Sequence, residues 1–95
     1  MDKHAYEIIL APSFEKTLKR IKKKNPTIAN GLEKQIIKLC DYPDTGKPLR
    51  NILKNKRRIH IGSFVLIYEI YKRQIFLLDF DHHDKIYKKR RSGRF

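Results

Sequence analysis

From Phe14 onward in this 95-residue chain the apolar residues change their spacing once, near Arg57, and that switch limits the available folds more than any other feature. Before it the spacing is helical. Phe14, Leu18 and Ile21 share one helical face, while Lys16, Lys19, Arg20, Lys23 and Lys24 fill the remainder, which predicts a basic amphipathic helix. Asn25-Pro26 breaks it and starts another, because Pro suits the first helical position and Asn caps well, and Ile28, Leu32, Ile36 and Leu39 then repeat at helical spacing. After the switch the period is two. Ile59 and Ile61 point one way and Arg58 and His60 the other. A Gly62-Ser63 turn leads into apolar strands over 64–71 and 74–80, joined at Lys72-Arg73, which predicts a three-strand antiparallel meander.

The remaining segments complete the order. Residues 6–11 read as a short strand, Pro12-Ser13 as a turn with Ser13 placed to cap the first helix, and residues 42–48 as a turn cluster opening a loop through about Lys56. The expected fold is α+β, in the order β-α-α-β-β-β with a short C-terminal helix or tail. Its antiparallel sheet is covered on one face by a two-helix hairpin, leaving the other face to Arg58, His60 and whatever the C-terminal segment brings across it.

Charge then narrows the partner. With 23 Lys+Arg against 10 Asp+Glu the chain carries +13, a self-repulsion that favours a polyanionic partner, nucleic acid first. Hydrophobic residues at 40% supply a core, which argues against a disordered basic tail and for one domain over 1–95 with a basic tail from about 88. Cys40 is the only cysteine, so an intramolecular disulfide and the zinc sites built on several cysteines are excluded, and a reducing, cytoplasmic setting fits. The apolar runs at 64–68 and 75–78 are too short to span a bilayer, and no leader pattern opens the chain, so no membrane association is expected.

Two stretches carry a resemblance. Arg57-Arg58-Ile59-His60-Ile61-Gly62-Ser63-Phe64-Val65-Leu66-Ile67-Tyr68-Glu69-Ile70 resembles the R-I-x-I-G-x-Y-R-x-x-Y-x-I central hairpin of the RelE/ParE toxin superfamily, and Asp79 through Lys88 resembles its C-terminal H-R-x-x-x-Y element. With the opening strand, the helical hairpin and Leu49-Arg50, the likeness covers nearly the whole chain. It implies a RelE-like fold and the toxin of a toxin-antitoxin pair: a ribosome-dependent, metal-independent endoribonuclease that cuts messenger RNA in the A site by attack of a ribose 2′-OH on the adjacent phosphate. Such a reaction needs a base, cations for the developing charge and an acid for the leaving oxygen. By match to the family pattern Arg50 and Arg58 fall where phosphate-binding cations are expected, His60 at the base, His83 at the C-terminal acid, and Tyr87 where an aromatic stacks on or orients a nucleobase. Lys56, Arg57, Lys88, Arg90 and Arg91 are the further candidate RNA contacts. The usual Arg of the central hairpin is Val65 here, and histidine replaces the cations that many relatives have at His60 and His83, so the chain looks like the histidine-using YafQ-type members. An unperturbed imidazole titrates near 6.5, which suits either role. No cofactor is implied, and the expected partners are the ribosome with its message and an acidic, RelB-like antitoxin that folds over the basic surface.

Other readings stand beside this one. A ParE-like inhibitor of DNA gyrase would use the same fold without an acid and a base, and a toxin weakened at Val65 would bind antitoxin and RNA without cutting. His82, His83 and Asp84 could hold a metal, but adjacent residues rarely aim at one ion and no fourth ligand is evident, so none is expected. The lysines of the first helix suit a solvated face, and Cys40 suits packing.

Overall fold

The computed structural model describes residues 6–48 and 56–91, and the switch of period divides them as expected. Helices α1 (Pro12–Lys24) and α2 (Pro26–Asp41) follow strand β1 (Glu7–Leu10). A short 3-10 turn, Pro43–Thr45, leads to a two-residue strand β2 (Lys47–Pro48), then to β3 (Lys56–Ile61), β4 (Phe64–Tyr71), β5 (Gln74–His82) and a last helix α3 (His83–Arg91). Asn25 separates the helices by serving both: its N–H donates to the Ile21 carbonyl at 2.7 Å and its side chain accepts from the Ile28 amide at 3.3 Å. Ser13 does not cap α1. Pro12, preset for the first helical position, places the cap at Ala11, which offers no side-chain bond, and Ser13 falls inside the first turn.

The sheet has five strands in the order β1-β5-β4-β3-β2. Its last three strands form the expected antiparallel meander, but β1 runs parallel to β5, so the sheet is mixed rather than antiparallel throughout. Parallel pairing needs a long connection, and the helical hairpin between β1 and the meander supplies part of it. Two further elements lay below sequence resolution. β2 pairs Lys47 with Arg58 and Pro48 with Arg57 at the edge of β3, and β5 runs on two residues past Phe80. Gly62 takes φ +60, the left-handed conformation that the β3–β4 turn requires and a side chain resists.

Alternation sorts the strands into two faces. Ile59, Ile61, Leu66, Tyr68, Ile75, Leu77 and Phe80 meet Phe14, Ile21, Ala29, Leu32 and Leu39 of the hairpin in one core. The opposite face carries a smaller cluster: Val65 and Ile67 are buried beneath Ile86 of α3, with Leu78 against them. Leu78 is the extra residue of a bulge, since Ile67 pairs with Asp79 while Tyr68 pairs with Leu77. Among the described residues no helix is long and apolar enough to cross a membrane.

Candidate active site

β3 presents its polar side chains because its apolar ones are taken. Ile59 and Ile61 bury against the hairpin, which turns Lys56, Arg58 and His60 to the other face, opposite Glu69, Ile67 and Val65 of β4. Lys56 ion-pairs with Glu69 at 3.1 Å, so its charge is partly spent within the sheet. His60 is exposed, and Arg58 is half-buried with its Nε shielded and unpartnered.

Arg57, a candidate RNA contact, is turned to the other face of β3 from Arg58. It shares the face of Ile59, and its guanidinium donates to the Gly46 carbonyl at 2.6 Å and more weakly to that of Asp44 at 3.4 Å. It therefore clamps the segment entering β2. Tyr68 clamps the same segment from within the core: its hydroxyl donates to the Pro43 carbonyl at 2.6 Å and accepts from the Gly46 amide at 2.9 Å. Burial pushes the Tyr68 phenol pKa up, against the smaller opposing pull of the Gly46 amide and the Arg57 charge. Gly46 has to be glycine here, since a Cβ would stand 2.6 Å from the Arg58 carbonyl oxygen and 2.8 Å from the Tyr68 hydroxyl.

The clamped segment forms one wall of a notch at the edge of β3. It is a cavity of about 230 Å³ lined by Gln35, Thr45, Gly46, Lys47, Arg58 and His60, among others. Lys47 belongs to this site and was not singled out from the sequence. As the cross-strand partner of Arg58 it faces the same way, and cross-strand placement is invisible without the two-residue strand that creates it.

The other candidates scatter. His83 opens α3, its amide bonded to the Ser63 carbonyl at 2.9 Å, so it lies at the same end of the sheet as His60 but on the far side of β4. Two strand spacings amount to about 10 Å. Its ring stacks on that of His82 at 4.7 Å, and His82 meets Phe64 edge-on at 5.9 Å. His82, His83 and Asp84 do converge despite being adjacent: Asp84 carboxylate oxygens lie 3.1 Å from His83 Nδ1 and 3.8 Å from His82 Nδ1. The Asp84 amide also donates to His82 Nδ1 at 3.3 Å, so the trio closes the first turn of α3. Lys88 is exposed on α3, whereas the side chains of Tyr87, Arg90 and Arg91, and all of Arg50, lie outside the described residues.

Val65 is not an open position awaiting a cation. It is wholly buried under Ile86, directly across from His60, so α3 closes the space an arginine would occupy. Cys40 is partly buried at the end of α2 rather than in the core: its thiol donates to the Ile36 carbonyl at 3.6 Å, and burial, helped by Asp41, pushes its pKa up, which makes it less reactive.

Comparison with known proteins agrees with this architecture. Residues 8–87 match the family model described as the ParE toxin of the type II toxin-antitoxin system, parDE. A Methanocaldococcus jannaschii protein described as "Putative toxin RelE4" is 35% identical over 89 residues, covering 90% of this chain and 95% of its own length. A Methanosarcina mazei protein described only as uncharacterized is 35% identical over 81 residues, covering 82% of this chain and 90% of its own length. Among solved structures, the toxin-antitoxin complex DinJ-YafQ of E. coli holds a chain that superposes with a TM-score of 0.73 at 18% identity, over 87% of this chain and 98% of that one. The RelBE2 complex of Mycobacterium tuberculosis gives 0.68 at 23% identity, over 82% and 98%.

Proposed function

The chain belongs to the ParE/RelE family of type II toxins, and we propose that it is a ribosome-dependent endoribonuclease of the cytoplasm, restrained by a cognate antitoxin. The observation that carries this reading is the placement of Arg58 and His60 together on the face of β3 turned away from the hairpin, beside a notch that both of them line. Pockets for drug-sized ligands hold roughly 300–1,000 Å³, so this notch is smaller than those. In the proposed reaction His60 takes the proton from a ribose 2′-OH, the oxygen attacks the adjacent phosphorus, and the bond to the 5′ oxygen breaks as His83 protonates it. Arg58 stabilises charge that builds on the phosphoryl oxygens. A base and an acid on opposite sides of β4 cannot by themselves hold a flexible strand in line. That separation supports dependence on the ribosome to fix the message, because positioning is then supplied from outside.

A partner of opposite charge suits the +13 surface, and an acidic antitoxin fills that role. The reading is tested by toeprinting a translated message: cleavage in the A site is expected, leaving 2′,3′-cyclic phosphate and 5′-OH ends, and a 2′-deoxyribose at the scissile position should block it. Buried Val65 favours a second reading, in which the toxin binds antitoxin and RNA without cutting. RNA binding with no cut message is the result that selects it, and inhibition of DNA supercoiling with no cut message would select a gyrase inhibitor instead.

A further inference from the structure

Lys47 and Arg58 stand directly across from each other at the end of the sheet. Directly opposed residues have Cβ atoms about 5 Å apart, and like charges in such a pair oppose folding. No carboxylate of the described residues pairs with either of them, whereas the neighbouring Lys56 has Glu69 and Arg57 has the Gly46 carbonyl. Two side chains, through three hydrogen bonds, nevertheless hold the segment that leads into Lys47 against the sheet. Tyr68, with no exposed surface, holds Pro43 and Gly46 through its hydroxyl, and Arg57 holds Gly46 from the side. The bonded residue, Gly46, immediately precedes Lys47.

We propose that Lys47 and Arg58 form a two-cation subsite for an RNA phosphate at the edge of β3, and that Tyr68 is a positioning residue that acts on RNA through Lys47. The inference rests on the nuclease reading for its substrate class but on binding for its test. An opposed cation pair that costs stability in the free protein is relieved when a phosphate oxygen lies between the two charges. Among the described residues the segment that carries Lys47 is otherwise tied to the sheet by two ladder residues and by the Arg57 guanidinium on the Gly46 carbonyl, so loss of the Tyr68 hydroxyl loosens its register against Arg58. The notch beside the pair, walled by Thr45, Gly46 and Gln35, gives the adjoining nucleotide a place to lie.

The test is a double-mutant cycle on binding of the whole protein to a single-stranded RNA oligomer across a salt series. Loss of one phosphate contact reduces the salt slope by about 0.7 for a single strand, which is about fivefold in affinity per decade of salt. Lys47→Gln should show that loss, and Lys47→Arg should restore most of it. Tyr68→Phe, which keeps the buried ring, should weaken binding nearly as much in the wild-type background and hardly at all in Lys47→Gln. Its effect on the urea midpoint should be the same in both backgrounds. If Tyr68→Phe costs the same affinity with and without Lys47, its role is structural and the positioning claim fails. An unchanged slope in Lys47→Gln would remove the subsite altogether. Neither result depends on cleavage, so a protein that shows the coupling yet leaves messages intact would retain the subsite and lose the nuclease reading.

Discussion

The two faces of the sheet are built from alternate residues of the same strands, yet they are finished differently. The hairpin face is closed by two helices that bring Phe14, Ile21, Ala29, Leu32 and Leu39 onto seven inward side chains. The opposite face has one short helix that brings Ile86 onto Val65 and Ile67, and beside it, among the described residues, a strip in which half-buried Arg58 and exposed His60 stand. A small domain has little stability to spare, so the division is informative: cohesion is concentrated on one side, and residues on the other are free to be chosen for chemistry. Among the described residues the α3 cover lies over Val65 and Ile67 and leaves His60 of β3 exposed.

That contrast can be broken most forcefully from the covered side. Leu32→Ala removes a fully buried side chain at the centre of the hairpin core and should cost about 3 kcal/mol in urea unfolding. Val65→Arg comes close behind. The family pattern invites it as a gain of function, but the position is sealed by Ile86, so an unpaired charge there should cost roughly 3 kcal/mol or detach α3. Raised cleavage with an unchanged urea midpoint would show that α3 yields readily. Ile86→Ala should cost about 2 kcal/mol and raise amide exchange in α3 and at Val65 while leaving the hairpin protected, because it uncovers only the smaller cluster. Equal exchange on both faces would mean that they are not separate.

A smaller effect should be visible in alkali. Burial raises the Tyr68 phenol pKa in the folded chain, so as pH climbs past about 10 the unfolded chain releases that proton first and stability falls. The contribution is whole below that pH and is lost as the folded value is approached. Urea midpoints at about pH 9 and pH 10.5 should therefore diverge more for the wild type than for Tyr68→Phe, and parallel curves would contradict the assignment.

Much of the covered face was legible in the sequence, because burial leaves a periodic mark: the helices and the meander strands follow from spacing, and the Asn25 break from the capping Asn and the Pro after it. The parallel pairing of β1 did not follow, since a strand's own pattern says little about the direction of its partner. Ser13 misled because a capping residue type counts for less than the proline before it. In the site, alternation already held the answer for Arg57. The same period that turns Ile59 and Ile61 inward puts Arg57 with them, on the hairpin's face of the strand. Lys47 left no local signal, because its place depends on a ladder of two residues. Val65 read as a missing cation when seen against a motif, and as a buried packing residue once α3 was in place.

The claim that the open face is chemical rather than cohesive is tested most directly by His60→Ala in single-turnover cleavage on programmed ribosomes, measured beside the urea midpoint of the same protein. His60 is exposed, so the midpoint should move by no more than about 0.5 kcal/mol. Cleavage should fall by roughly 10²-fold or more, the scale for loss of one positioned acid or base. Full cleavage by a stably folded His60→Ala protein would contradict the account.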